Sequence, residues 1–101
     1  MASRSAEHKM RPHLFGPRVR LRVDLHGVSV IGPKDERKLI RWEWVDTITV
    51  DKGVVVRSAT DELRLPRGAF ELVPEVLAQW LEEARSIERR PEIIGQLLTH
   101  G

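Results

Sequence analysis

Residues 18–28 read Arg-Val-Arg-Leu-Arg-Val-Asp-Leu-His-Gly-Val, and this stretch decides the fold. Apolar Val19, Leu21, Val23 and Leu25 alternate with Arg18, Arg20, Arg22 and Asp24. Successive side chains of a strand point to opposite faces, so a period of two predicts a strand with one buried face and one wet, charged face. His26-Gly27 then forms a tight turn, with Gly27 available for a positive φ, and residues 28–31 return as a second strand.

The pattern continues outward toward the C-terminus. Gly32-Pro33-Lys34-Asp35-Glu36 is a polar loop, because proline fixes φ and aspartate bonds local backbone. A third strand covers residues 38–42. Strict alternation beyond it would bury Ile40, Trp42 and Trp44 together, but Asp46 shares that parity, and an unpaired buried carboxylate is costly. A bulge or short helical turn near residues 43–46 removes the conflict; it buries Ile40, Trp42, Val45 and Ile48 and turns Trp44 partly outward. Further strands are expected at residues 47–50, 54–58 and 63–65, with a hairpin turn at Asp51-Lys52-Gly53 and a stop at Pro66 and Gly68.

From Val73 the spacing changes to that of a helix. Val73, Val76, Leu77, Trp80, Leu81, Ala84 and Ile87 form one apolar stripe, opened by Pro74 and Glu75 and broken by Pro91. A second short helical segment, residues 92–99, carries Ile93, Ile94, Leu97 and Leu98. The expected fold class is α+β: a run of about six short antiparallel strands whose sheet must curl, with its open end capped by a C-terminal amphipathic helix in a capped-barrel arrangement. Residues 1–13 show no periodicity and read as a flexible basic arm, residues 14–90 as the folded domain, and residues 91–101 as a short amphipathic segment.

Composition limits the function. The chain has 101 residues, enough for one domain, and is 41% apolar and 32% charged, which is a globular balance. It has no cysteine, which excludes disulfides, thiolate metal sites and cysteine nucleophiles. No uninterrupted apolar run exceeds three residues, and no apolar stretch follows the basic N-terminal residues, so a cytoplasmic location is expected. Net charge is +2 but uneven: residues 1–22 hold six basic residues against one acid. A basic arm can touch phosphate in lipid or nucleic acid, and a solvated terminus is the plainer alternative. Phe15 is the arm's sole stacking aromatic, a thin nucleic-acid signal.

Four spaced features carry a family resemblance. They are the strand–turn–strand at Leu21-Arg22-Val23-Asp24-Leu25-His26-Gly27-Val28, the apolar set Ile40, Trp42, Val45 and Ile48, the strand Leu63-Arg64-Leu65-Pro66-Arg67 with Phe70 after it, and a closing helix with a central Trp80. Residues 18–86 thereby resemble the bacterial PH-like family, grouped with GRAM and other pleckstrin-homology-like domains. The resemblance implies a bent, partly open barrel of seven strands in two sheets, and a scaffold that binds lipids or proteins and is seldom catalytic. The chain departs from the family at Trp44, where a small polar residue is common, and in offering six clear strands, with His13 to Gly16 as a candidate for part of a seventh.

No constellation of a base, a nucleophile and an orienting group emerges. His8, His13, His26 and His100 lack metal-ligand spacing, and Asp35-Glu36, Asp61-Glu62 and Glu82-Glu83 fall on turns and a wet helix face. The expectation is a non-enzymatic adaptor or protein-binding module with no cofactor and no small-molecule substrate. Its partner-binding candidates are Trp44, Ile93, Ile94, Leu97 and Leu98, with a protein partner or self-association. The alternative is a peripheral anionic-lipid binder using Arg18, Arg20 and Arg22, with nucleic acid ranked below it. Against a deep headgroup pocket stands the two-residue turn after the first strand. Asp24, at the end of the arginine face, is expected to be an ion partner of the arginines.

Overall fold

A computed structural model describes residues 5–10 and 19–100. Seven strands form two antiparallel sheets. β1 (Ser5–Lys9), β2 (Arg20–Asp24), β3 (Gly27–Ile31) and β4 (Arg37–Arg41) pair in sequence order. β5 (Thr47–Val50), β6 (Gly53–Arg57) and β7 (Glu62–Pro66) make the second sheet. Two helices follow, α1 (Pro74–Ala84) and α2 (Arg90–His100). The class is α+β, as the alternation and the terminal stripe require. No hydrogen-bonded ladder joins the two sheets among the described residues, so the barrel is not closed. β3 and β4 approach β7 on one side; α2 packs on β1, and α1 packs on β5 and β6.

The register explains the core. Leu21 faces Val30, Val23 faces both Ala6 and Val28, and Val28 faces Ile40, which puts one apolar row on the inner face of the first sheet. Val54 opposite Leu65 and Val56 opposite Leu63 do the same for the second. Leu77, Leu81 and Ala84 of α1 and Ile93, Ile94 and Leu97 of α2 complete one continuous buried cluster with Phe70. Trp80 is half-buried against it rather than at its centre.

Four expectations need correction. Residues 5–9 form an edge strand rather than a flexible arm, and this is the strand missing from the sequence reading; only Ala6 is buried in it, too little to make a period. His13 to Gly16, the region considered for that strand, lies outside the described residues. Leu25 leaves the alternation and is exposed, because β2 ends at Asp24. Asp24 is buried, and its Oδ1 accepts hydrogen bonds from the backbone N–H groups of His26 (2.8 Å) and Gly27 (3.0 Å). It pins the turn instead of neutralising β2's arginines. Gly27 has no positive φ; a Cβ there would run into the carbonyl oxygen of Ile40 on β4, so glycine is required for close approach of the backbones.

Both expected helical segments are present, but they are of equal length, because the first ends at Ala84 and the second starts at Arg90. Pro91 stands in the first turn of α2, where its missing N–H costs no helical hydrogen bond, so it opens the second helix and does not break the first. The chain leaves the helix after Ala84, and Ile87 of the expected stripe is 78% exposed. Arg90 takes the freed carbonyls, donating from Nε to Ala84 O (2.8 Å) and from a terminal nitrogen to Arg85 O (3.1 Å). Its guanidinium lies 5.0 Å from the Trp42 ring centroid. Partial burial pulls the Arg90 pKa below its usual value, with the Glu43 carboxylate opposing the shift.

Candidate functional site

The site begins with the turn between the two sheets. Residues Trp42–Trp44 form a single 3-10 turn, closed by Val45 N–H donating to Trp42 O at 3.2 Å. In a 3-10 turn positions i and i+3 point the same way. Trp42 and Val45 therefore both enter the core, and Trp44 points out. Trp42 is 3% exposed, and its indole N–H donates to Asp24 O at 2.8 Å. Trp44 is 54% exposed. Ile48 is half-buried and Asp46 is at the surface, so the parity break expected from Asp46 is present.

Trp44 is not loose. The Arg41 guanidinium lies 5.7 Å from its ring centroid, and Arg41 Nε donates to Glu43 at 2.7 Å. The Glu43 carboxyl is held below its ordinary value, first by a hydrogen bond from its own backbone and then by Arg41 and Arg90, against an opposing desolvation.

Beside the indole lies an open cleft of about 440 Å³, lined by Glu43, Trp44, Asp46, Ser58, Ala59, Thr60 and Asp61. Its far wall is the β6–β7 turn. Ser58 Oγ accepts the backbone N–H groups of Thr60 (3.3 Å) and Asp61 (2.9 Å), and Ser58 N–H donates to Asp61 O at 2.9 Å. Asp46 N–H donates to Arg57 O at 2.8 Å, which ties the near wall to the far one. The cleft is thus a fixed feature of the backbone.

The other candidates sit elsewhere. Arg22 pairs with Glu7, directly opposite on β1, at 2.6 Å, and Arg20 pairs with Asp35 at 3.0 Å. Both guanidiniums are engaged on the wet face, partly by a glutamate of the neighbouring strand. Arg18 lies outside the described residues. Ile93, Ile94 and Leu97 are fully buried in the chain's own core, so the α2 segment docks internally and these three side chains offer no surface. Leu98 remains 46% exposed. A second cleft, of about 460 Å³, opens where β3 and β4 meet β7, over Val30 and Leu63. Arg37 is held by Ser29 and Asp24 and Arg64 by Glu62, while Lys38 makes only a long contact of 3.8 Å with Asp61.

Among the described residues no group of three or more His, Asp or Glu side chains could hold a metal ion. His8 packs edge-on to Phe70, and His26 sits in the exposed β2–β3 turn. No described helix is long and apolar enough to cross a membrane. The Trp44 cleft adds a polar wall that the sequence reading missed; the Ser58-Ala59-Thr60-Asp61 turn carries its own signal, a hydroxyl followed by residues whose N–H groups it can cap. Compared with family models, with curated proteins and with solved structures, the chain matches none.

Proposed function

We propose that this domain is a non-catalytic protein-binding module on a PH-like scaffold, and that it docks its partner through the Trp44 cleft. One observation carries the reading: a large indole, more than half exposed, fixed by a 3-10 turn at the mouth of a cleft whose two walls are joined by a backbone hydrogen bond. Exposed tryptophan is uncommon, and rigid aromatic anchors beside a concave surface dominate the energetics of protein interfaces. Preorganisation lowers the entropy lost on association.

A display library of random peptides tests this. Ligands selected on the wild-type domain should lose binding to Trp44→Ala, while the variant keeps its fold. Failure to select any ligand that depends on Trp44 would refute the assignment. Binding to phosphatidylserine vesicles that survives Trp44→Ala but is lost on Arg20→Gln with Arg22→Gln would place the contact surface on β2 instead.

A further inference from the structure

We propose that the Trp44 cleft receives a cationic side chain, arginine or lysine, from an extended segment of the partner protein. The inference rests on the docking role assigned to Trp44 and adds the chemistry of what docks. Its basis is charge complementarity at an aromatic wall. The protein as a whole carries a net charge of +2, yet no basic side chain lines this cleft. Three carboxylates do, and they are not equally satisfied. Glu43 is held by Arg41 at 2.7 Å. Asp61 has only a loose contact with Lys38, at 3.8 Å, and a hydrogen bond from Thr60 Oγ1 at 3.3 Å. Asp46 has no ion pair among the described residues, and its backbone N–H alone is engaged.

The indole sets the shape of the guest. A guanidinium or ammonium near an aromatic face is attracted by the ring quadrupole. Arg41 already makes such a contact with Trp44 from within the chain, and the residue stays 54% exposed beside it. The methylene stem of an arginine or lysine would lie along the indole and Ala59, with the charged head toward Asp46 and Asp61. A bare divalent cation is a poorer fit, because these carboxylates do not converge into a metal-holding group. An anionic peptide or phosphate would meet Asp46 unpaired and Asp61 only loosely paired. The surplus negative charge is local, so it selects at contact rather than steering from a distance.

The test uses peptides displayed as random heptamers, selected on the full-length domain and counter-selected on Trp44→Ala. Recovered ligands should share an arginine or lysine at one fixed position. Replacing that residue with glutamine should weaken binding about tenfold or more, as should Asp46→Asn with Asp61→Asn in the domain. Asp46→Asn alone, at an exposed side chain, repeats the measurement should the double variant lose its fold. Ligands that depend on Trp44 but carry no cation, or that bind both aspartate variants as tightly as the wild type, would overturn the charge assignment and leave the docking role standing. A selection that yields no Trp44-dependent ligand would overturn both.

Discussion

Ile93→Ala is the sharpest probe of how α2 is held. The side chain is fully buried in the cluster that α2 shares with α1 and the sheets. Truncation to alanine removes three carbons, and at about 0.8 kcal/mol for each the transfer loss alone is about 2.4 kcal/mol. The cavity left behind raises this toward about 3–4 kcal/mol, inside the range of about 2–5 seen for isoleucine or leucine truncated in a core. A domain of this size has about 5–15 kcal/mol of total stability, so a large share is lost. The melting temperature should fall by about 12–30 °C, at about 4–8 °C per kcal/mol. Leu98→Ala, five residues further along and 46% exposed, should change stability by no more than about 0.5 kcal/mol. Urea unfolding followed by tryptophan fluorescence reads both variants, at two protein concentrations. Internal docking predicts midpoints independent of concentration. A loss under about 1 kcal/mol for Ile93→Ala, or a midpoint that rises with protein concentration, would show that α2 is ordered by another molecule and that the internal packing is wrong.

Three further outcomes follow from single residues. Gly27→Ala should destabilise the domain more than a surface substitution does and broaden the amide resonances of β3 and β4, because its Cβ meets the Ile40 carbonyl; an unchanged melting temperature would mean that the two strands are further apart. Lys52→Gly should raise stability by about 0.5–1 kcal/mol in the same urea assay, since Lys52 holds a φ of 60° that costs an L-residue about 1–2 kcal/mol and glycine's greater unfolded-state freedom offsets part of the gain. Glu62 titrates below an ordinary glutamate, chiefly through its hydrogen bond from Arg57 and then through Arg64, so its contribution to stability is present above the ordinary glutamate pKa and is lost as pH falls through the lowered value; carboxyl-carbon NMR should show that low midpoint, and Arg57→Gln should move it upward.

Much of the fold was legible because period and punctuation agreed. Residues 47–50 form a strand at the expected bounds, and β2, β3, β4, β6 and β7 lie within a residue or two of theirs. The parity of Asp46 points to Trp42 inside and Trp44 partly outward. What failed to show was what depends on partners distant in sequence. Ser5–Lys9 becomes a strand because β2 offers it a ladder and α2 covers it, not because its own residues alternate. Gly27 and Gly53 read as turn glycines, but each is needed where another strand's carbonyl presses close, at Ile40 and Leu65, and the left-handed position in the second hairpin falls to Lys52. The helical stripe ran past Ala84 on spacing alone, and the capping of α1 by Arg90 across the corner could not be seen in it.

The candidate site was half legible for the same reason. Trp44 stood out by breaking a pattern, whereas its cleft is assembled from a turn that lies fourteen or more residues further along the chain. That division bears on function. The 3-10 turn needs Trp42 and Val45 in the core, and nothing in its hydrogen bonding needs an indole at position 44. The exposed contact with Arg41 returns about 0.5–1 kcal/mol at most, a small return on so large an apolar surface left in water. An indole that the hydrogen bonds of the 3-10 turn do not require, fixed at the rim of a cleft lined by three carboxylates, is accounted for by the docking role proposed above.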